Sequence, residues 1–390
     1  MALITSYSPL PISFTHGEGI WLYDEQGKAY LDGLSGIAVC GLGHAHPDIT
    51  RTIQKQAAKL LHTSNGYLIK EQEQLAERLT AITNMEQAFF ANSGAEANEA
   101  AIKLTRLYGH KKGIETPSII VMERAFHGRT MATLTASGSR KVQAGFEPLV
   151  PGFIRAPFND IDAIHTIAAN RDDVVAVMIE PIQGEGGIFV AEDSYLRALA
   201  QLCKEHDWLF ILDEIQTGNG RTGKFFAYMH AGIQPDIVTT AKGLGNGIPI
   251  SACLMRGNAC NLFKPGNHGS TFGGNPLACA TALTVLDVIE GNNLCEQVAQ
   301  KGALLKEKLM QALVDHPGVR GIRGRGFMLG IELDRPANDA RKMGLANGLL
   351  FNVTNETVIR LLPPLIISEK EIDELVSRLS KTIHQFTESA

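Results

Sequence analysis

The sequence predicts an α/β protein, in which a mainly parallel, twisted sheet is covered by helices on both faces and is followed by a smaller α+β region. Through most of the 390 residues, short β-prone apolar runs alternate with segments of helical periodicity, a pattern typical of such sheets. Two of the apolar runs end abruptly in polar side chains, one in Asp213 and one in Lys242. From about residue 295 the pattern changes to a long helical segment and short strands, which indicates a second domain.

Composition excludes several classes of protein. Hydrophobic residues make up 44% of the chain and charged residues 20%, values near the globular average. The net charge of −5, without a long basic run, argues against a general nucleic-acid binder. No apolar stretch approaches the length needed to span a bilayer, and the N-terminus lacks a secretory pattern. We therefore expect a cytoplasmic protein that has neither nucleic acid nor a membrane as a partner.

The cysteine and histidine spacings do not predict a metal site. The six cysteines form no CxxC pair, so free thiols in a reducing compartment are expected. His44 and His46 suggest metal ligands, but no acidic or thiol residue stands at ligand spacing. The adjacent Gly41, Gly43 and Pro47 favour a turn instead.

The elements follow in order along the chain. Residues 14–32 predict a β-hairpin that packs on a later part of the chain, and residues 47–61 and 71–82 predict two helices. The next predicted strands are 87–91, 119–122, 152–156, 174–179, 208–212, 236–241 and 251–255, with helices over 161–169 and 194–205. The C-terminal part is predicted to contain a helix from about 277 to 290, a second helix that ends at 313, strands over 325–333 and 349–352, and an apolar segment over 358–364. A final helix is predicted over 368–386, beginning with a capping box at Ser368 and Glu371.

A candidate anion site follows the strand at 87–91. Ser93-Gly94-Ala95 forms a tight turn, and small and polar residues continue helically to Leu107. The first N–H groups of a helix lack partners and the helix dipole favours negative charge, so the turn suits a phosphate. Taken alone, the motif fits an ordinary serine N-cap equally well.

A second polar loop, residues 123–130, follows the strand at 119–122. Phe126 in this loop is suited to stacking on a flat ring, and Arg129 to binding a carboxylate through two hydrogen bonds. Taken alone, Phe126 is more typical of a core residue.

Asp213 and Lys242 predict a cofactor pocket, because ligands of open α/β sheets lie at the carboxyl ends of the strands. The Lys242 amine could condense with an aldehyde cofactor that carries a phosphate and a pyridine ring. Asp213 would keep the ring nitrogen protonated, so that the ring becomes an electron sink. Lysine becomes a usable nucleophile where burial or a nearby positive charge lowers its pKa.

Two other chemistries are disfavoured. Residues 218–224 fit GxGxxG and most of a P-loop, but Phe225 stands where a magnesium-binding Ser or Thr is required, and the preceding strand ends too early. No GxSxG elbow is present, which argues against a serine hydrolase.

Several stretches together resemble the class III, ω-amino-acid branch of the pyridoxal-phosphate aminotransferases. They occur in order over essentially the whole chain: Ser93–Asn98, Phe126–Arg129, Glu180–Glu185, Leu212–Gly218, Gly220–Gly223, Ala241–Gly243 and Ser270–Pro276. The tail, 352–354 with 359–365, is most similar to members that act on N-acetylornithine. The segment 65–69 departs from the family, since it lacks the Leu-Tyr-Tyr usual after Asn65 near the substrate mouth.

The resemblance implies a fold and a set of cofactor contacts. The fold would be type I of the pyridoxal-phosphate (PLP) transferases, with a mainly parallel seven-stranded sheet in a large domain over 51–290, a small α+β domain over 291–390, and residues 1–50 packing with the small domain. Lys242 would form a Schiff base with the cofactor, and Asp213 would pair with the ring nitrogen. The cofactor-binding residues implied are Ser93, Gly94, Ala95, Phe126, Asp213, Gln216, Lys242 and, from the partner subunit of a homodimer, Thr271.

The resemblance also implies the substrates. Arg129 would hold the α-carboxylate, Ser270 would add a substrate contact, and Glu185 would pair with Arg360 and release it when 2-oxoglutarate arrives. The expected reaction moves the terminal amine of N-acetylornithine to 2-oxoglutarate, giving N-acetylglutamate semialdehyde and glutamate, a step of arginine biosynthesis. Ornithine, succinyl-diaminopimelate and 4-aminobutyrate are alternative donors.

Two other functions of the same fold are disfavoured by particular residues. An aminomutase or decarboxylase would have no second keto-acid to admit, so the Glu185 and Arg360 pair argues against it. A non-catalytic binding module would not need Lys242 and Asp213.

Overall fold

A computed structural model describes residues 3–388. Its strands are β1 (Phe14–Glu18), β2 (Trp21–Asp24), β3 (Ala29–Asp32), β4 (Gln87–Ala91), β5 (Ser118–Met122), β6 (Phe153–Ala156), β7 (Val174–Ile179), β8 (Ile182–Gln183), β9 (Phe189–Val190), β10 (Leu209–Asp213), β11 (Ile237–Thr240), β12 (Ser251–Met255), β13 (Val319–Arg325), β14 (Met328–Leu333), β15 (Leu349–Leu350), β16 (Asn352–Thr354) and β17 (Val358–Leu361). Its helices are α1 (Ser35–Ala38), α2 (Pro47–Ala57), α3 (Lys70–Thr83), α4 (Gly94–Lys111), α5 (Met131–Ala136), α6 (Arg140–Gln143), α7 (Ile161–Asn170), α8 (Asp193–Glu205), α9 (Pro276–Gly291), α10 (Leu294–Leu313), α11 (Ala340–Ala346) and α12 (Glu369–Glu388).

The main sheet confirms the predicted fold class. Among residues 3–388 it has seven strands in the order β4-β12-β11-β10-β7-β5-β6. The pairs from β11 to β6 are parallel, and β12 alone runs antiparallel to both of its neighbours. β4 therefore points the same way as β5, β7, β10 and β11, and the carboxyl ends of these five strands meet at one edge of the sheet.

Helices cover both faces of this sheet. Ile211 of β10 packs in one apolar cluster with Leu104 of α4, whereas Phe210 and Leu212 pack in another with Leu199 of α8. This division follows from the alternation of side chains along a strand. Because both faces are buried, the central strands are apolar throughout, which is why they could be recognised in the sequence.

The predicted N-terminal hairpin is confirmed and gains a strand. β2 and β3 pair antiparallel around the turn at 25–28, β1 adds to β2, and β3 pairs in parallel with β15 from the C-terminal part. The hairpin thus packs on a later part of the chain, as predicted. After it, α1 is a single turn in which all four residues have positive φ, from 45° to 65°.

Two C-terminal predictions were wrong. The predicted single strand over 325–333 covers β14, a turn and only the last residue of β13, which was not predicted as a strand. The turn was hidden because Phe327 inside it is fully buried. The single strand over 349–352 is two strands in different sheets: β15 joins β3 and β16 joins β17. Buried Phe351 lies where the chain passes between those sheets, so the apolar run continues through the break.

Other predictions hold to within a few residues. The final helix begins with the predicted capping box, since the Ser368 amide donates to Glu371 Oε2 at 2.9 Å and the Glu371 amide to Ser368 Oγ at 3.3 Å. The six cysteines are free. Among residues 3–388, no helix combines the length and apolar character needed to traverse a lipid bilayer.

Candidate active site

A cavity of about 440 Å³ lies at the carboxyl edge of the main sheet, within the size range of small-molecule sites. Most of the predicted cofactor residues line it, together with predicted Arg129: Ser93, Gly94, Ala95, Phe126, Arg129, Asp213, Gln216 and Lys242. These residues come from the loops after β4, β5, β10 and β11. The cavity therefore forms where the direction of the strands brings their ends together.

Asp213 is the final residue of β10 and is only 3% exposed. Its Oδ2 accepts hydrogen bonds from His127 Nδ1 and Asn98 Nδ2, both at 2.8 Å, and its Oδ1 accepts from the Ile215 amide at 3.1 Å. Thr239 on the neighbouring strand donates to Asn98 Oδ1 at 2.7 Å and so fixes the orientation of that amide. A buried carboxylate with three donors is held in one position at the cavity wall.

Lys242 follows β11 and begins a short 3-10 turn, Lys242–Leu244. Its φ of 47° is left-handed, a conformation that costs free energy in a non-glycine residue and is frequent at functional sites. Burial, and then the charge of Arg360, lower the pKa of the Lys242 amine to about 8, although Glu185, Asp213 and Glu180 act in the opposite direction. At pH 7 about a tenth of this amine is therefore uncharged and nucleophilic, a far larger share than for an ordinary lysine.

The sequence left open whether the turn before α4 is an ordinary serine N-cap or part of a ligand site. The turn is an N-cap, and it also lines the cavity. Ser93 is an N-cap, since its Oγ accepts from the Glu96 amide at 3.3 Å and donates to Glu96 Oε2 at 2.9 Å. The turn also lines the cavity through Gly94 and Ala95, whose amides are among the first of the helix and have no intrahelical partner. An 18-residue helix thus directs its positive end at the cavity.

Phe126 and Arg129 form the wall contributed by the loop after β5. The guanidinium carbon of Arg129 lies 5.5 Å from the centre of the Phe126 ring, and the Arg129 side chain is exposed at the mouth. Glu180, at the end of β7, holds this loop by accepting from the Phe126 amide at 2.8 Å. Burial raises the pKa of Glu180 to about 7. The charge of His127 acts to lower this pKa, and the charge of Asp213 acts to raise it further.

Arg360, Glu185 and Gln216 form a polar cluster beside the cavity. Arg360 on β17 is fully buried, and its Nη1 donates to Glu185 Oε1 at 2.6 Å and to Gln216 Oε1 at 3.0 Å. Burial alone would raise the pKa of Glu185, but the charge and hydrogen bond of Arg360 outweigh it and lower the pKa. Within the described part of the chain, Arg360 Nη2 is buried without a hydrogen-bond partner. The cluster thus has an unused donor and an acid that is 38% exposed.

Ser270 and Thr271 lie apart from the cavity of their own chain. Ser270 Oγ accepts from Asn92 Nδ2 at 3.1 Å, and Asn92 lines the cavity, so Ser270 reaches the site only through that residue. Thr271 is exposed and does not line the cavity.

Three residues of the site were not among the predicted site residues. Asn98 and His127 position Asp213, and Glu180 fixes the loop that contains Phe126. A signal for Asn98 was present: it lies four residues after Gly94 in a helix of small residues, hence on the same face of α4. For His127 and Glu180 the residue types were visible, but their partners are distant in the sequence.

Comparison with known proteins agrees with this geometry. The family model for class-III aminotransferases matches residues 4–383. The chain is 52% identical over 387 residues to the acetylornithine aminotransferase of Nitrosomonas europaea, covering 99% of this chain and 98% of that protein.

Solved structures are similar over the whole chain. The acetylornithine aminotransferase of Elizabethkingia anophelis is 36% identical with a TM-score of 0.88, covering 98% of this chain and 96% of that one. The ornithine aminotransferase of Toxoplasma gondii, crystallised with oxidised glutathione and with PLP partly occupying its active site, is 32% identical with a TM-score of 0.95, covering 100% and 93%. The overall fold therefore does not distinguish N-acetylornithine from ornithine as the amino donor.

Proposed function

The chain belongs to the class-III aminotransferases, and on that premise we propose that it transfers the terminal amine of N-acetylornithine to 2-oxoglutarate with PLP as its cofactor. The products are N-acetylglutamate semialdehyde and glutamate, a step of arginine biosynthesis. The observation that carries the proposal is the placement of Lys242 and Asp213 on the wall of one cavity, which the start of α4 also lines. The identity of 52% to a relative of that name supports the choice of donor.

The residues present fit this cofactor. The start of α4 provides N–H donors for a phosphate, Phe126 an aromatic face for a ring, and buried Asp213 a carboxylate for a protonated ring nitrogen. Gln216, which also lines the cavity, would contact the ring hydroxyl. The Lys242 amine, with its pKa lowered to about 8, would hold the aldehyde group of the cofactor.

When bound, the cofactor supplies an electron sink for cleavage of a bond at the substrate carbon that carries the amine. The protein supplies the proton transfer. Lys242 Nζ would be the group that takes the proton from that carbon and returns it in the second half of the transfer. His127 and Asn98 keep Asp213 oriented throughout.

One pocket has to accept two unlike substrates. Arg129, exposed at the mouth, binds the α-carboxylate of each. In the first half-reaction Glu185 neutralises Arg360, so the pocket accepts the largely neutral side chain of N-acetylornithine. In the second, Glu185 moves away and Arg360 binds the distal carboxylate of 2-oxoglutarate. The unpaired Arg360 Nη2 and the partial exposure of Glu185 support this exchange.

We further propose a homodimer in which Thr271 completes the phosphate site of the partner subunit, and in which Ser270 adds a contact near the substrate. Thr271 is exposed and does not line its own cavity. Phe272 beside it is 61% exposed, and Tyr67 and Leu68 are 75% and 89% exposed. Large apolar side chains clustered in this way are typical of an interface, and the departure from the family at 65–69 lies in the same surface.

The domain division at 50/51 and 290/291 and the cytoplasmic location are also proposals. The first is supported by the sheet that joins β3 to β15, which ties the N-terminal strands to the C-terminal part. The second is supported by six free cysteines, as expected in a reducing compartment.

The donor is tested by incubating purified protein with PLP, 2-oxoglutarate and one donor at a time, and measuring glutamate. N-acetylornithine is expected to give the highest kcat/KM among N-acetylornithine, ornithine, succinyl-diaminopimelate and 4-aminobutyrate. Glutamate formation from 4-aminobutyrate but not from N-acetylornithine would overturn the choice of donor. It would leave the aminotransferase chemistry intact.

A further inference from the structure

The loop that carries Thr271, residues 270–274, is held in place by two side-chain amides from another part of the chain. Asn65 Nδ2 donates to the carbonyl oxygens of Ser270 and Gly273, both at 3.0 Å. Gln72 Nε2 donates to the Gly274 carbonyl at 3.1 Å. The same Gln72 amide donates to Asn65 Oδ1 at 2.8 Å, which fixes which way the Asn65 amide faces.

The loop has no regular secondary structure of its own to hold it. Thr271 and Phe272 are exposed, and the loop precedes α9. Gly273 packs so closely on β4 that a Cβ there would lie 2.2 Å from the Phe90 carbonyl oxygen. The backbone of the loop therefore has one close contact with the sheet. The Phe272 carbonyl accepts from Asn275, whereas the carbonyls of Ser270, Gly273 and Gly274 accept from Asn65 and Gln72.

The loop is also connected to the phosphate turn of its own chain. Ser270 Oγ accepts from the Gly273 amide at 3.0 Å and from Asn92 Nδ2 at 3.1 Å. Asn92 immediately precedes Ser93, and Glu96 accepts from the Asn92 amide at 3.0 Å. The loop is thus fixed on two sides, by Asn65 and Gln72 on one and by Asn92 on the other.

We propose that Asn65 and Gln72 are positioning residues for the cofactor site of the partner subunit: they hold loop 270–274 in the geometry that delivers Thr271 across the dimer. This inference rests on the proposed homodimer and on the proposed role of Thr271. Neither Asn65 nor Gln72 lines the cavity of its own chain, so their effect is exerted through the loop. In Asn65→Ala the Ser270 carbonyl loses its side-chain donor, and the Gly273 carbonyl keeps only Gln72 Nε2 at 3.5 Å. The cofactor dissociation constant of the partner site is therefore expected to rise about tenfold.

Mixed dimers separate this role from a general structural one. Two chains with different affinity tags are combined, and one of them carries Lys242→Ala, so that only one site binds cofactor covalently. In the first arrangement Asn65→Ala is placed on the Lys242→Ala chain, whose loop completes the intact site. In the second, Asn65→Ala is on the chain that retains Lys242, and the loop completing its site is unaltered. The dissociation constant of PLP at the site that retains Lys242 is measured by titrating the absorbance of the Schiff base, which the Lys242→Ala site cannot form.

The expected result is a rise of about tenfold in the first arrangement and a value near wild type in the second. An equal or larger rise in the second arrangement would show that Asn65 acts within its own chain and would overturn the proposal. Asn347→Ala is the matched control, because its amide also donates two hydrogen bonds, to Thr382 at 2.9 Å and Gln385 at 2.8 Å, away from the loop. It should leave both arrangements unchanged.

Thr271→Val in the same two arrangements distinguishes this proposal from the one it depends on. If Thr271→Val weakens binding in the first arrangement and Asn65→Ala does not, Thr271 acts across the dimer and the role of Asn65 is wrong. If neither variant weakens binding there, the proposed role of Thr271 fails and the role of Asn65 fails with it.

Discussion

Glu185→Gln should separate the two half-reactions. Glutamine keeps an oxygen that can accept from Arg360 Nη1, now 2.6 Å from Glu185 Oε1, but it removes the charge that neutralises the guanidinium. Arg360 would then present an uncompensated positive charge to both substrates. The distal carboxylate of 2-oxoglutarate is attracted by that charge, whereas the largely neutral side chain of N-acetylornithine would cover it without a counter-charge, which is unfavourable.

The size of the expected effect on the KM for 2-oxoglutarate follows from the solvent exposure of the Glu185–Arg360 ion pair. A fully buried ion pair at this distance would be strong, but Glu185 is 38% exposed, so solvent screens the interaction. We take about 1 to 2 kcal/mol for the charge interaction after this discount. In the wild type, the charge interaction between Glu185 and Arg360 has to be broken when 2-oxoglutarate binds. Removing this interaction in Glu185→Gln should lower the KM for 2-oxoglutarate by about five- to thirtyfold.

The assay is single-turnover absorbance spectroscopy of each half-reaction, with N-acetylornithine added to the aldehyde form and 2-oxoglutarate to the amine form of the enzyme. For the variant, kcat/KM should rise with 2-oxoglutarate and fall with N-acetylornithine. Glu332→Gln is the control, because Glu332 also pairs with an arginine, Arg323, and is 36% exposed, but lies outside the cavity. Changes of the same sign in both half-reactions of the Glu185 variant would refute the reasoning.

Three further predictions test the site. Lys242→Ala should still bind the cofactor noncovalently but lose multiple turnover, and retained turnover in a steady-state assay would contradict the role of its amine. His127→Ala removes one donor to Asp213 at 2.8 Å. It should lower kcat more than it raises either KM, because the carboxylate is less well oriented. If His127 had a purely structural role, the variant would instead lower the melting temperature without this difference between kcat and KM. The rate at which apoprotein captures PLP should rise about tenfold per pH unit below pH 8 and level off above it, since the pKa of the Lys242 amine is about 8; a stopped-flow rate that keeps rising to pH 10 would indicate an ordinary lysine.

Much of the fold was predictable because its signals are local. β7 coincides with the predicted strand 174–179, and the strands ending near Asp213 and Lys242 were recognised from apolar runs that stop at a polar residue. Where an apolar run continues through a turn, as at Phe327, or from one sheet into another, as at Phe351, the sequence has no local signal for the break.

The site was predictable only in part for the same reason. Lys242 and Asp213 stand at strand ends, which topology places at one edge. The contacts of Arg360 depend on packing between distant segments: it meets Glu185 across 175 positions and Gln216 across 144. The Glu185 pairing was predicted from family resemblance and the Gln216 contact was not predicted; neither could be derived from spacing.

The central claim is that the Lys242 amine, opposite Asp213, binds the cofactor covalently, and borohydride reduction of the holoenzyme tests it most directly. Reduction followed by proteolysis and mass spectrometry should place one pyridoxyl-phosphate group on the peptide that contains Lys242. A label on another lysine, or no label on a protein that binds PLP, would contradict it.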